Sequence, residues 1–209
     1  MVRAAVLASG DGDRLQTVLD AIYFNEIPNI ELVAVICPQR DAYAMKRALN
    51  AGVPAYVVDP DLFPTNTSHS MAVANKLKDM DIELVILAGY GRPLGVIPYQ
   101  FKNRIIGSIP ALYPAYDTQD AEVCRSVLER GVKISGATVY FADGDGGVGG
   151  IILQQAVEVR PDDTPETLER RIVTESEAKL LNRAVALYCA GRLQIRGKRV
   201  VVKPEDKDE

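Results

Sequence analysis

The sequence contains a single histidine, His69, and only three cysteines, Cys37, Cys124 and Cys189. His69 lies in the run NTSHS, with nothing to pair it with a nucleophile, and reads as a residue near the start of a surface helix. The chain therefore lacks the general base most often used near neutral pH. The cysteines are far apart, odd in number and without a C-x-x-C spacing. That argues against a zinc site and against a disulfide framework, and suits a reducing cytoplasm. No apolar run approaches the roughly 20 residues of a membrane helix. The apolar stretch after Arg3 is too short for the core of a signal peptide. Positive charge is not in excess either: the net charge is -4, which gives no electrostatic basis for a nucleic-acid or anionic-membrane partner. An anionic ligand would need a local basic or backbone N–H site.

What is present suits one sizeable core. The 209 residues are 47% hydrophobic and 25% charged, ordinary values for a globular chain. Residues 2–8 form a continuous apolar run after Arg3, the pattern of a strand buried on both faces. The turn SGDGDR follows, then Leu15, Val18, Leu19 and Ile22 at helical spacing. Further strands are predicted over 30–36, 54–58, 84–88 and around Ile105 and Ile106. The helices between them open at Asp41, read as a cap, and at Thr67 or Ser68, with a short one over 97–101. Gly52 stops the second helix. A helix over 120–129, stopped by Gly131, precedes a strand over 135–141 with one more polar face. The next strand covers 151–159 and pairs with it antiparallel. Thr164 and Pro165 start a long closing helix with proline at its first position, its apolar face carrying Leu168, Ile172, Leu180, Ala184 and Leu187. Residues 193–202 form a terminal hairpin around Gly197. The expected fold is a single-domain, Rossmann-like α/β domain over 1–203, a mostly parallel sheet with an antiparallel C-terminal extension. Residues 204–209 read as a solvated acidic tail.

Four stretches bear on function. The turn Ser9, Gly10, Asp11, Gly12, Asp13, Arg14 reads either as a phosphate cradle at a helix N-terminus or as a tight structural turn. Leu15 stands where a dinucleotide fingerprint needs its third glycine, Asp11 and Asp13 repel a phosphate, and Arg14 offsets one of them. The loop from Gly89 to Leu94 follows a buried strand and is either a backbone ligand contact or a plain turn. The glycine-rich loop 142–150, with Asp143 and Asp145, reads as a solvated hairpin loop rather than a metal site. Arg170, Arg171, Lys179 and Arg183 read as the solvent face of the closing helix.

Several longer motifs occur in a fixed order: VLASG-x-G, DAYAMKRALNAGVPAYVVD, LVILAGYGRPL, RII-x-x-x-P-x-L-x-P, GATVYFAD and GGIILQQAVEVRPDDTPETL. Together they resemble the glycinamide ribonucleotide formyltransferases of purine synthesis, over nearly the whole chain. The resemblance implies 10-formyltetrahydrofolate as co-substrate and a small-molecule, folate-like or phosphorylated, partner. It leaves a homodimer open. It implies phosphate contacts at Gly10, Gly12, Asp13 and Arg14, and folate contacts at Leu87, Gly89, Arg92, Leu94, Ala142 and Asp143. The family's chemistry uses an Asn-x-His pair after the fifth strand and an aspartate after the sixth. Here those positions fall on Gly107, Ile109 and Gly147, so no family catalytic residue is retained. The family's substrate-binding glutamate falls on Ser176, flanked by Glu175 and Glu177. The resemblance with these departures implies a paralogue that keeps the fold and cleft with little or no formyl transfer, and that binds a folate-like or phosphorylated ligand, serves as a partner for another protein, or runs different chemistry. The alternative is an active enzyme with a rearranged site, for which Asp145, Asp117 and Ser108 are the candidates.

Overall fold

A computed structural model describes residues 1–116, 122–144 and 146–204. Seven strands form one sheet: β1 (Val2–Ala8), β2 (Ile30–Cys37), β3 (Ala55–Val57), β4 (Leu84–Ala88), β5 (Ile105–Ile109), β6 (Ile134–Asp143) and β7 (Gly147–Glu158). Their spatial order is β3-β2-β1-β4-β5-β6-β7. The first five are parallel, and β6 runs antiparallel to both neighbours. A separate hairpin, β8 (Leu193–Arg196) and β9 (Arg199–Val202), turns at Gly197. The expected mostly parallel sheet with an antiparallel extension is what forms.

Burial on both faces explains the central strands. Residues 4–8 of β1 are fully buried, and β1 sits between β2 and β4. The chain winds outward through β2 and β3, then returns to the other side of β1 as β4. Strand order therefore reverses between β1 and β4, where Leu7 pairs with Leu87 and Ala8 with Ala88. In an open α/β sheet this reversal, at the C-terminal strand ends, opens a crevice for ligands. It places the turn after β1 beside the loop after β4, and Ser9 Oγ donates to the Gly89 carbonyl.

Helices α1 (Asp13–Tyr23), α2 (Tyr43–Asn50), α3 (Asn66–Asp79), α4 (Ile97–Gln100) and α5 (Val123–Glu129) connect the strands. Asp41 does not cap α2: Ala42 holds that position without a side-chain bond. The Ala44 N–H instead donates to the Gly10 carbonyl, so the turn after β1 closes the helix. The third helix starts earlier than expected, with Thr65 and Ser68 forming a reciprocal capping box. His69 is not on a surface. It is 2% exposed, its Nε2 lies 2.9 Å from the Val58 carbonyl, and its ring packs edge-on against Phe63.

The more polar face expected of β6 is also buried, because β6 is an inner strand covered by the closing helix. Its Thr138 is an anchor: Oγ1 donates to the Ala111 carbonyl at 2.7 Å and accepts from the Tyr113 N–H at 3.1 Å. The hairpin is longer than expected, since β6 runs to Asp143 and β7 begins at Gly147. The closing helix has three parts: α6 (Pro165–Ile172), a π-helical turn (Val173–Glu177) and α7 (Ala178–Cys189). Thr164 and Thr167 form its capping box, with Pro165 at the first position. Arg171 is not on the solvent face. It pairs with buried Asp163 and donates to the Glu158 carbonyl at 2.8 Å. Among the described residues no helix is long and apolar enough to cross a membrane. Asp117, Asp145 and most of the acidic tail lie outside the described residues.

Candidate functional site

Two adjoining cavities occupy the C-terminal edge of the sheet. One, of about 650 Å³, lies between the turn after β1, Arg47 of α2 and the closing helix. The other, of about 800 Å³, lies between residues 89–94, the end of β5 and the β6–β7 turn. Arg14, Gly89 and Ser108 line both.

Local geometry fixes the turn after β1. Gly12 has φ 72° and precedes α1. A Cβ on it would stand 2.7 Å from Ala44 Cα, so this glycine is required by the packing of α2 against the turn. Gly10, also at positive φ, has open space around it. The Asp11 carboxylate accepts the Asp13 N–H at 3.1 Å, taking one of the free donors at the start of α1. Asp13 pairs with Arg47, whose Nε donates to the Asp11 carbonyl at 2.8 Å. The Arg47 contribution was invisible in the sequence, because only the fold brings α2 against this turn.

Arg14 is the junction between the cavities. Its Nε lies 3.2 Å from Glu177 Oε1, and its NH2 3.3 Å from Glu177 Oε2 and 3.7 Å from Glu169 Oε1. Burial works against the guanidinium charge, but the carboxylates of Glu177, Glu169 and Asp11 together outweigh it and raise the Arg14 pKa above its ordinary value. Glu177 is itself 2% exposed and accepts a hydrogen bond from Ser108 Oγ at 2.7 Å. Glu177, rather than the neighbouring Ser176, faces the cleft. Ser176 is fully buried, and its Oγ has no hydrogen-bond partner. Both residues belong to the π-helical turn Val173–Glu177.

In the larger cavity, Ile109 and Gly147 line the wall, together with Leu87, Gly89, Arg92, Leu94 and Asp143. Gly107 stands opposite Tyr140 in the β5·β6 ladder. A Cβ at Gly107 would meet Leu87 Cδ1 at 3.0 Å and Tyr140 Cζ and Oη at 3.3 Å. The place of a side chain at 107 is thus filled from the neighbouring strands. Burial, with a smaller push from Glu177, drives the Tyr140 hydroxyl pKa up to about 12. Among the described residues, the Tyr90 hydroxyl and Arg92 Nε are buried without hydrogen-bond partners, and burial likewise pushes Tyr90 up to about 12. Asp143 bonds the Gly144 N–H at 2.8 Å and keeps its other oxygen. Ala142 is 2% exposed and is not part of the wall.

The fold and its cleft have close relatives. The family model described as formyl transferase matches residues 2–185. The phosphoribosylglycinamide formyltransferase of Haemophilus influenzae is 31% identical over 200 residues, covering 94% of this chain and 91% of that one. The crystal structure of glycinamide ribonucleotide transformylase 1 from Symbiobacterium toebii is 42% identical, with a TM-score of 0.90, over 98% of this chain and 95% of that one. The trifunctional purine biosynthetic protein adenosine-3 of Gallus gallus is 32% identical over 195 residues, and this chain spans 19% of its length. From strand order through cleft to sequence identity, the chain belongs to the phosphoribosylglycinamide formyltransferase family.

Proposed function

We propose that the protein binds a reduced folate in the larger cavity and does not transfer formyl to glycinamide ribonucleotide by the family's chemistry. The observation that carries this is Ile109 and Gly147 on the cavity wall, with Gly107 behind Leu87 and Tyr140. The family positions for amide, imidazole and carboxylate hold no polar side chain. One lost oxyanion donor costs about 10²–10³ in rate, and a lost general acid–base group about 10²–10⁴. The losses do not simply add, but each alone is large.

The folate end tolerates such losses because backbone groups of Gly89, Arg92 and Leu94 do not depend on catalytic side chains. The unpartnered Arg92 Nε and Tyr90 hydroxyl lie in that same loop. The phosphate end is less favourable, since Asp11 already occupies a helix N-terminal donor and Arg14 is engaged by Glu177. A phosphorylated ligand there would draw on Arg47, Arg170 and the turn containing Gly10, Gly12, Asp13 and Arg14. The relatives' names place the family in purine synthesis, and a folate-linked role beside that pathway, in the cytoplasm, is the reading adopted for this chain.

Ser108 favours a second reading, because its hydroxyl faces the cleft on a carboxylate. That reading is a working transferase with a rearranged site using Ser108, Asp117 and Asp145. Calorimetric titration with 5,8-dideazafolate and a formyl-transfer assay separate the two. Binding without turnover supports the first, and turnover abolished by Asp145→Ala and Asp117→Ala supports the second.

A further inference from the structure

We propose that the Tyr140 hydroxyl is the donor that holds the formyl oxygen of a bound formylated folate. The inference rests on the folate-binding reading above. Directly opposed residues in an antiparallel ladder bring their side chains together, and here one of the two has none. The Tyr140 ring consequently leans over Gly107 until its Cζ and Oη lie 3.3 Å from where a Cβ would be. The hydroxyl stands over position 107, where the resemblance puts the family's amide, and Tyr140 lines the cavity.

The surroundings leave this hydroxyl available. The Tyr140 ring is buried, the residue being 5% exposed, while the hydroxyl oxygen is not among the fully enclosed ones and opens on the cavity. Among the described residues none hydrogen-bonds it. Nearby Ser108 cannot serve in its place, since its proton is committed to Glu177 at 2.7 Å. Tyr90 is another phenol without a partner among the described residues, but its oxygen is fully enclosed by protein. With its pKa pushed up to about 12, Tyr140 keeps its proton near neutral pH and acts as a donor rather than an anion. A neutral O–H donor at that place suits a carbonyl oxygen.

The test is calorimetric binding of 10-formyl-5,8-dideazafolate and of unformylated 5,8-dideazafolate, without acceptor, to wild type and Tyr140→Phe. The phenylalanine keeps the ring over Gly107, so the variant should fold. The wild type is expected to prefer the formylated compound by about fivefold to tenfold, the effect of one neutral hydrogen bond. Tyr140→Phe is expected to lose that preference while its affinity for the unformylated compound stays unchanged. A preference that survives in Tyr140→Phe, an equal weakening of both compounds, or no preference in the wild type would overturn the proposal. Wild type binding neither compound would overturn the folate reading itself, and this proposal with it. As a second variant, Gly107→Asn/Tyr140→Ala supplies an amide in the vacated space and is expected to restore the formyl preference that Tyr140→Ala lacks.

Discussion

Arg14 and Glu177 lie 163 residues apart in sequence and pair in the cleft, Nε to Oε1 at 3.2 Å. Glu177 carries the Ser108 hydrogen bond as well. This pair joins the turn after β1 to the closing helix, and its Arg14 lines both cavities. It also makes the two faces of the site depend on each other.

Removing one partner of a buried ion pair leaves an uncompensated charge, at about 3–5 kcal/mol in a fully buried case. Arg14 is 30% exposed, which screens part of that cost. Arg14→Ala is expected to destabilise by about 2–3 kcal/mol in urea denaturation. Glu177→Gln keeps an acceptor for Ser108 and is expected to cost less. Equal stability of wild type and Arg14→Ala would show that the pair is solvated in solution.

Gly12 and Gly10 make a matched comparison in one turn. Gly12→Ala adds a Cβ that meets Ala44 Cα at 2.7 Å, at a positive φ. Overpacking and strain together should cost about 2–4 kcal/mol. Gly10→Ala meets open space and should cost about 1 kcal/mol, from φ alone. Thermal unfolding of the two variants measures the difference directly.

His69 is structural. Its replacement by alanine removes the bond to the Val58 carbonyl and the packing on Phe63. A destabilisation of about 1–3 kcal/mol is expected, with the 5,8-dideazafolate dissociation constant unchanged. A change in affinity without loss of stability would place His69 in the site.

Alkaline pH should destabilise the fold in a predictable direction. Burial raises the Tyr90 and Tyr140 hydroxyls from 10.0 to about 12. Below pH 10 both folded and unfolded chains carry these protons, and the contribution is fully present. As pH rises the unfolded chain loses its protons first, so the folded state is penalised progressively up to about 12. Thermal midpoints should fall over that window, and Tyr140→Phe should fall less steeply than wild type.

The fold was legible where burial and periodicity agree. The run 2–8 of β1 is apolar because both faces are covered, and that pattern has no competing explanation. The start of α3 was not, because its capping box uses Ser68 in place of the usual glutamate or glutamine. Ser135 and Thr138, on opposite faces of β6, are both buried, though their polarity suggested solvent. Thr138 is instead satisfied by the segment it anchors. At the site, the family positions Gly107, Ile109 and Gly147 could be counted along the chain. Glu177 enters the cleft from a π-helical turn that no periodicity announces. Tyr140 and Arg47 reach the cleft only through strand register and helix packing, which a single sequence does not display.

The central claim is that the altered trio does not support the family's transfer. The direct measurement is formyl transfer from 10-formyltetrahydrofolate to glycinamide ribonucleotide at high protein concentration, following the appearance of tetrahydrofolate. The account predicts no turnover above the uncatalysed rate from a protein that still binds 5,8-dideazafolate. Turnover that survives purification and is abolished by Asp145→Ala would contradict it.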